Sequence, residues 1–234
     1  MFDNLKPKNF RAESELSNVS KLSYAGGLNQ ALNKSFNALI SLRILDLSEN
    51  NLHNIPNDIK DLKNLEDLNF NSNFLHFIPN ELTELRLLKR LSLRDNCITE
   101  LNENFCTYSR FRETLVRFDL SKNQLTNDTF SYKIALFEAL KELDLSENRF
   151  EQMPNTLPIN LVELNMNNNK IRTLMVRPMS QAAKSDTELL KALNISVNKR
   201  DTTVLQKKST VEREVERLLV NRKRPHTSGV NRIG

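Results

Sequence analysis

The stretch Leu42-Arg-Ile-Leu45-Asp-Leu47-Ser-Glu-Asn50-Asn-Leu52 reads L-x-x-L-x-L-x-x-N-x-L. The same order returns at Leu65, Leu68, Phe70, Asn73 and Leu75, and again at Leu88, Leu91, Leu93, Asn96 and Ile98. Further copies run through Leu115, Phe118, Leu120, Asn123 and Leu125, then Leu140, Leu143, Leu145, Asn148 and Phe150, then Leu161, Leu164, Met166, Asn169 and Ile171. A copy at Leu190, Leu193, Ile195 and Asn198 carries Arg200 in its last apolar slot. Val19, Leu22 and Tyr24 form a degenerate opening copy with Gly27 in the Asn slot. The second apolar positions of these copies are spaced by 23, 23, 23, 27, 25, 21 and 29 residues. A period of this length marks a chain built from stacked supersecondary units.

The alternation in L-x-L has the period of a strand, so its apolar residues share one face and the intervening residues the other. One short strand cannot bury that face alone, and consecutive copies must therefore stack into a parallel sheet. The Asn falls where the chain turns off the strand, where its amide can satisfy buried backbone groups from rung to rung. We accordingly read Asn50, Asn73, Asn96, Asn123, Asn148 and Asn169 as structural. The longer copies carry extra residues on the convex side. Asn127-Asp128 is expected to cap a helix bearing Phe130, Ile134, Phe137 and Leu140, and Ser185-Asp-Thr-Glu188 to open another. The insertion around Cys106–Phe111 is expected to bulge as a loop.

Composition agrees with a repeat. The chain has 234 residues, of which 38 are Leu and 31 Asn, so 69 residues in all belong to the two types that define the pattern. Four Gly and two Cys exclude a collagen, a Gly-rich linker protein and a disulfide-stapled scaffold. No apolar run approaches the roughly 18 residues of a membrane span. The first residues, Met1-Phe-Asp-Asn-Leu-Lys-Pro-Lys8, lack the apolar core of a signal peptide. A reducing, cytoplasmic setting is the expectation, with cytoskeleton, cilium and nucleus open as alternatives. The net charge of +5 is uneven: residues from Lys199 onward hold 10 basic and 4 acidic groups, leaving 24 basic and 25 acidic before them.

The pattern resembles the leucine-rich-repeat family over about residues 18–200. Two copies ending Leu52-His-Asn-Ile55-Pro56 and Leu75-His-Phe-Ile78-Pro79 are similar to the 23-residue intracellular repeats of the Ras-group and scribble type. The resemblance implies an α/β solenoid with a parallel sheet on a concave face and short helices and loops on the convex face. It also implies an intracellular adaptor, in small-GTPase or phosphatase signalling for example. The expected organisation is an N-terminal leader over 1–17, a solenoid of about eight repeats over 18–200, and a basic tail over 201–234.

In such a fold the outward residues of each strand carry recognition. The register gives three rows: Lys21, Ile44, Asp67, Arg90, Arg117, Glu142, Glu163 and Ala192; then Ser23, Asp46, Asn69, Ser92, Asp119, Asp144, Asn165 and Asn194; then Ala25, Ser48, Asn71, Arg94, Ser121, Ser146, Asn167 and Ser196. Arg90, Arg94 and Arg117 make a basic centre flanked by acids. Two readings stay open: a solvated face whose charges pair among themselves, or a docking strip for a partner of opposite charge order. The protein-binding candidates are Asp67, Asn69, Arg90, Arg94, Arg117, Asp119, Glu142 and Asp144, with Phe74 and Phe77 as a second, apolar patch beside His53 and His76. The alternative for the two Phe is cover by the 105–111 loop.

Catalytic signatures are absent: there is no Gly-rich phosphate loop, G-x-S-x-G elbow or Cys-x-x-Cys. Asp119 and Asp144 on adjacent rungs form the nearest approach to an acid/base pair. No cofactor, metal site or small-molecule substrate is expected, and His53 with His76 lacks further ligands. In the tail, Ser209-Thr-Val-Glu212 fits a capping box opening an amphipathic helix near 209–223 that ends in Arg222, Lys223 and Arg224 before Pro225. This helix reads as a cap on the last rung or as a second contact. Aromatic residues do not interleave with the basic ones, so nucleic acid is not the expected partner. The leading expectation is a non-enzymatic scaffold binding protein partners through the concave face. The alternative is a fixed subunit of a large cytoskeletal or axonemal assembly, its tail on an acidic surface such as tubulin.

Overall fold

The computed structural model describes residues 39–171 and, outside them, two short strands at 21–23 and 194–196. Eight three-residue strands form one sheet in chain order: β1 Lys21–Ser23, β2 Ile44–Asp46, β3 Asp67–Asn69, β4 Arg90–Ser92, β5 Arg117–Asp119, β6 Glu142–Asp144, β7 Glu163–Asn165 and β8 Asn194–Ser196. Every neighbouring pair is parallel and in register from repeat to repeat, as in Leu45 beside Leu68 and Leu91 beside Phe118. In β2 to β7 the central residue is buried and its two neighbours are not. That is the expected consequence of a two-residue side-chain period with one face covered.

The last rung departs from the expected alignment. Ile195, not Leu193, lies beside Leu164, so Asn194 pairs with Glu163 and Ser196 with Asn165. The shift is two residues, an even number, which leaves the alternation of the register unchanged. In the register Asn194 and Ser196 therefore each stand one row further out than expected. The expected leader 1–17, the helix opening at Ser185, and the tail 201–234 with its helix near 209–223 lie outside the described residues.

The core is one continuous cluster fed by the consensus positions of the rungs of β2 to β7, from Leu39 to Ile171. Leaving the strand, each rung from β2 to β7 turns through one residue with positive φ: Glu49, Ser72, Asp95, Lys122, Glu147 and Asn168, at 52° to 58°. Each stands immediately before the consensus Asn. The Asn then closes the turn. Asn96 donates Nδ2 to the carbonyls of Phe70, Leu93 and Arg94, and its Oδ1 accepts the N–H of Leu75. Asn73, Asn123, Asn148 and Asn169 repeat this arrangement one rung apart. The carbonyl at the third apolar position thereby receives two amides, one from its own rung and one from the next. A buried carboxamide uses both its donating and its accepting end this way, which an apolar side chain of similar size cannot do.

On the convex side the rungs return through short 3-10 turns at Asn57–Asp61, Asn80–Glu84 and Tyr132–Leu136, which bury Ile59, Leu82 and Ile134. Pro56 and Pro79 precede the first two with φ of −59° and −73°, values the pyrrolidine ring fixes in advance. Two convex expectations are corrected. The insertion around Cys106–Phe111 does not bulge; Glu103–Tyr108 is an α-helix, α1, with Asn102 Oδ1 accepting the Phe105 N–H at 2.8 Å. Phe105 and Cys106 are drawn inward while Tyr108 stays exposed, and Phe105 meets Phe111, Phe118 and Phe137 at centroid distances of 5.8 to 6.3 Å. Burying two extra Phe is worth more than leaving the insertion solvated, at about 1.5–3 kcal/mol per side chain. Nor does Asn127-Asp128 cap a helix. Ser131 accepts from Lys133 at the head of the 3-10 turn, while Asn127 bonds across to Glu151 and Gln152 of the next rung. Phe130, Ile134, Phe137 and Leu140 are nevertheless all buried.

Candidate interaction face

The outward residues of β2 to β7 share one face of the sheet, about 4.8 Å apart from strand to strand. Their outer row runs Ile44, Asp67, Arg90, Arg117, Glu142, Glu163. Arg90 Nη2 lies 2.7 Å from Asp67 Oδ2, and Arg117 Nε lies 2.6 Å from Glu142 Oε2. The hydrogen bond to Glu142 holds the Arg117 guanidinium above its ordinary pKa. Arg94, at the strand exit, donates to Ser121 Oγ at 2.8 Å and stands 3.6 Å from Glu147. The three arginines of the basic centre thus reach three different acids. Just before the strands, Glu66 is held between Arg43 and Lys89, which keep its carboxyl below the usual glutamate range.

The middle row has a task that the spacing alone did not disclose. Asp46, Asp119 and Asp144 each turn Oδ1 onto the N–H and hydroxyl of the Ser two residues later, at 2.6 to 3.0 Å. Asn69 and Asn165 do the same for the N–H of Asn71 and Asn167. These are Asx turns that stop each strand before the positive-φ residue. The rung carrying Ser92 has no such acceptor at that position. There Asn71 of the preceding rung supplies it, accepting from the Arg94 N–H at 2.8 Å and from Ser92 Oγ at 2.7 Å. Asp or Asn at five of the six described positions was the available signal.

Asp119 and Asp144 are adjacent in the register, but each has one oxygen committed to its own turn, and Asp144 Oδ2 accepts from Asn165 as well. Burial pushes the Cys106 thiol up to about 12, so it is held as an unreactive thiol among the buried aromatics. Among the described residues no group of three or more His, Cys, Asp or Glu is placed to hold a metal ion.

Phe74 and Phe77 sit on the turn descending from β3 and are 46% and 49% exposed, so α1 and the residues after it do not cover them. His53 stacks on Phe74 with ring centroids 5.4 Å apart and on His76 at 6.5 Å, giving a short ladder of exposed rings across two rungs. A cleft of about 410 Å³ opens where α1 meets the turn before Tyr132, with Glu100, Glu103, Asp128 and Tyr132 on its walls. Its lining comes from three successive rungs, at 100–103, 127–132 and 150–156.

A family model described as Leucine Rich Repeat matches residues 41–62 and 139–158. Together with the eight stacked strands and the Asn ladder, this defines the class: the chain is a leucine-rich-repeat protein. It is similar in fold to a leucine-rich-repeat protein of Leptospira interrogans, with a TM-score of 0.59, 24% identity, and coverage of 82% of this chain and 53% of the other. An internalin of Listeria monocytogenes aligns with a TM-score of 0.61 at 20% identity over 79% of this chain and 48% of its own. A second Listeria monocytogenes internalin, internalin C2, gives 0.58 and 19% over 81% and 77%. The chain therefore spans about half the length of the first two. A comparison with curated proteins returned no match. Folds of this class commonly serve protein–protein interaction, because stacking repeats creates an extended concave surface. Among the described residues no helix is long and apolar enough to cross a membrane.

Proposed function

We propose that the protein is a non-enzymatic recognition scaffold that holds a protein partner against the concave face of its sheet, through Asp67, Asn69, Arg90, Arg94, Arg117, Asp119, Glu142 and Asp144. One observation carries the reading. The middle row is tied into turns by its own hydrogen bonds, while the outer row stands partly exposed above it, with Arg90 and Arg117 side chains 50% and 57% accessible. Pre-ordered polar groups on a rigid sheet lose little freedom on binding, which favours recognition over a flexible charged surface. Phe74 and Phe77 are proposed as a flanking apolar contact, and Arg222, Lys223 and Arg224, outside the described residues, as a further one. The Ile-Pro endings at 55–56 and 78–79 support kinship with the intracellular 23-residue group.

The test is site-specific photocrosslinking of the full chain in its native cell. A photoreactive residue at Ser92 on the concave face is expected to trap a protein partner, and the same residue at Glu81 on the convex turn is not. Capture at Glu81 alone refutes the concave reading.

A further inference from the structure

Arg90 and Arg117 are direct neighbours in the parallel register of β4 and β5. Like charges side by side on adjacent strands oppose the fold. They turn away from each other, Arg90 to Asp67 on β3 and Arg117 to Glu142 on β6, and the one acid on either strand, Asp119, stands in the middle row with its Oδ1 committed to the Ser121 turn. The turns leading into these strands extend the positive charge. Residues 86–90 and 112–117 hold five basic groups, Arg86, Lys89, Arg90, Arg112 and Arg117, against the single acid Glu113, although Lys89 is already paired with Glu66 of the preceding rung. The Thr114 hydroxyl donates to the Leu88 carbonyl at 2.8 Å, which fastens the second turn to the first. Arg86 is exposed, and neither it nor Arg112 makes an ion pair among the described residues. Leu87, 42% exposed, adds apolar surface to the same corner.

We infer that this corner, where β4 and β5 begin, docks an acidic segment of the protein partner; the inference rests on the concave-face reading and names the partner's chemistry. Carboxylates entering the gap between Arg90 and Arg117 relieve the like-charge contact while each arginine keeps its present acid. The order of charge along the outer row decides the class of anion. It runs Asp67, Arg90, Arg117, Glu142, Glu163: negative, two positive, two negative. A nucleic acid carries phosphate at every step and would meet Asp67 on one side and Glu142 and Glu163 on the other. A polypeptide with a short acidic centre and basic flanks complements the whole row, and complementarity of this kind sets specificity and association rate.

Fluorescence anisotropy with the full chain at low salt tests this with three labelled probes. They are a peptide with a Glu-Glu-Asp centre between lysines, a peptide of reversed charge order, and an oligothymidylate. The acid-centred peptide is expected to bind about tenfold or more tightly than the other two, and Arg90→Gln with Arg117→Gln to weaken it about tenfold. A second variant, Asp67→Arg with Arg90→Asp, preserves the ion pair but inverts it, and is expected to weaken binding similarly. Arg149→Gln, on a descending turn away from the corner, leaves binding unchanged. Circular dichroism confirms that each variant is folded. Equal binding of the two peptides, tighter binding of the oligothymidylate, or indifference to both corner variants overturns the inference. If that happens while Ser92 still traps a partner, the acidic class alone is lost and the concave reading stands.

Discussion

Replacing Asn123 with alanine removes a carboxamide that makes four hydrogen bonds in the middle of the stack. Its Nδ2 donates to the carbonyls of Leu93, Leu120 and Ser121 at 2.9 to 3.1 Å, and its Oδ1 accepts the Ile98 N–H at 2.9 Å. The three carbonyls do not become orphans. Leu93 keeps Asn96, Leu120 keeps Asn148, and Ser121 keeps the Asp95 N–H. The Ile98 N–H has no second acceptor, and leaving it buried and unpaired costs about 1–3 kcal/mol. Three weakened carbonyl contacts, each at or below the low end of the ~0.5–1.5 kcal/mol range for a net hydrogen bond, bring the expected loss to about 3 kcal/mol. Asn123→Asp should cost more than alanine, because it discards both N–H donors of the amide and sets a carboxylate against carbonyl oxygens. Asn169→Ala should cost less, since Asn169 is half-buried where Asn123 is buried. Urea unfolding followed by far-ultraviolet circular dichroism is the assay, because the chain has no Trp to report by fluorescence. A loss below about 1 kcal/mol for Asn123→Ala at unchanged denaturant slope, or a milder effect from Asp than from Ala, would refute the ladder as a source of stability.

Other consequences are open to direct measurement. Lys122 sits at φ 52°, so Lys122→Gly is expected to raise stability by up to about 1 kcal/mol and Lys122→Val to lower it by at least that much, read from the same unfolding curves. Phe105→Ala empties the centre of the aromatic cluster and should cost about 3–5 kcal/mol in that assay. Thiol labelling of the native protein at mildly alkaline pH should modify Cys97, which is half-buried, and spare Cys106 until the chain unfolds; equal labelling rates would contradict the buried, raised thiol. Glu66, held low by Lys89 and Arg43, binds its proton less readily folded than unfolded. Its contribution to stability is therefore present above the ordinary glutamate pKa and is lost as pH falls through the lowered one. Carboxyl NMR titration should show that pKa rising in Lys89→Gln.

The repeat was legible because each rung repeats the same physical problem. Leu45 and Leu47, or Leu68 and Phe70, recur with an Asn at fixed distance, and that pattern alone determines strands, parallel order, the buried face and the structural role of Asn96 or Asn123. It also places Arg90 beside Arg117, since the spacing of 27 residues between Leu91 and Phe118 preserves register whatever the insertion does. What the insertion does was not legible. A broken period says only that residues are extra; whether Phe105 and Phe111 turn in or stay out depends on space left under Phe118 and Phe137, which belong to other parts of the rung and to the next one. The same limit applied at Ser92, whose missing acceptor comes from Asn71 of the preceding rung, and at β8, where a two-residue shift leaves the apolar pattern intact. Whether the charges of the concave strip pair among themselves was also beyond the sequence. The rows name which side chains share a face, but rotamers and distances decide that Arg90 reaches Asp67 and that Arg117 reaches Glu142, so that the two neighbouring arginines turn apart. Periodicity is a property of one rung repeated, and is written along the chain; the filling of a cavity or the choice of an ion-pair partner depends on several rungs at once, and exists only after they are stacked.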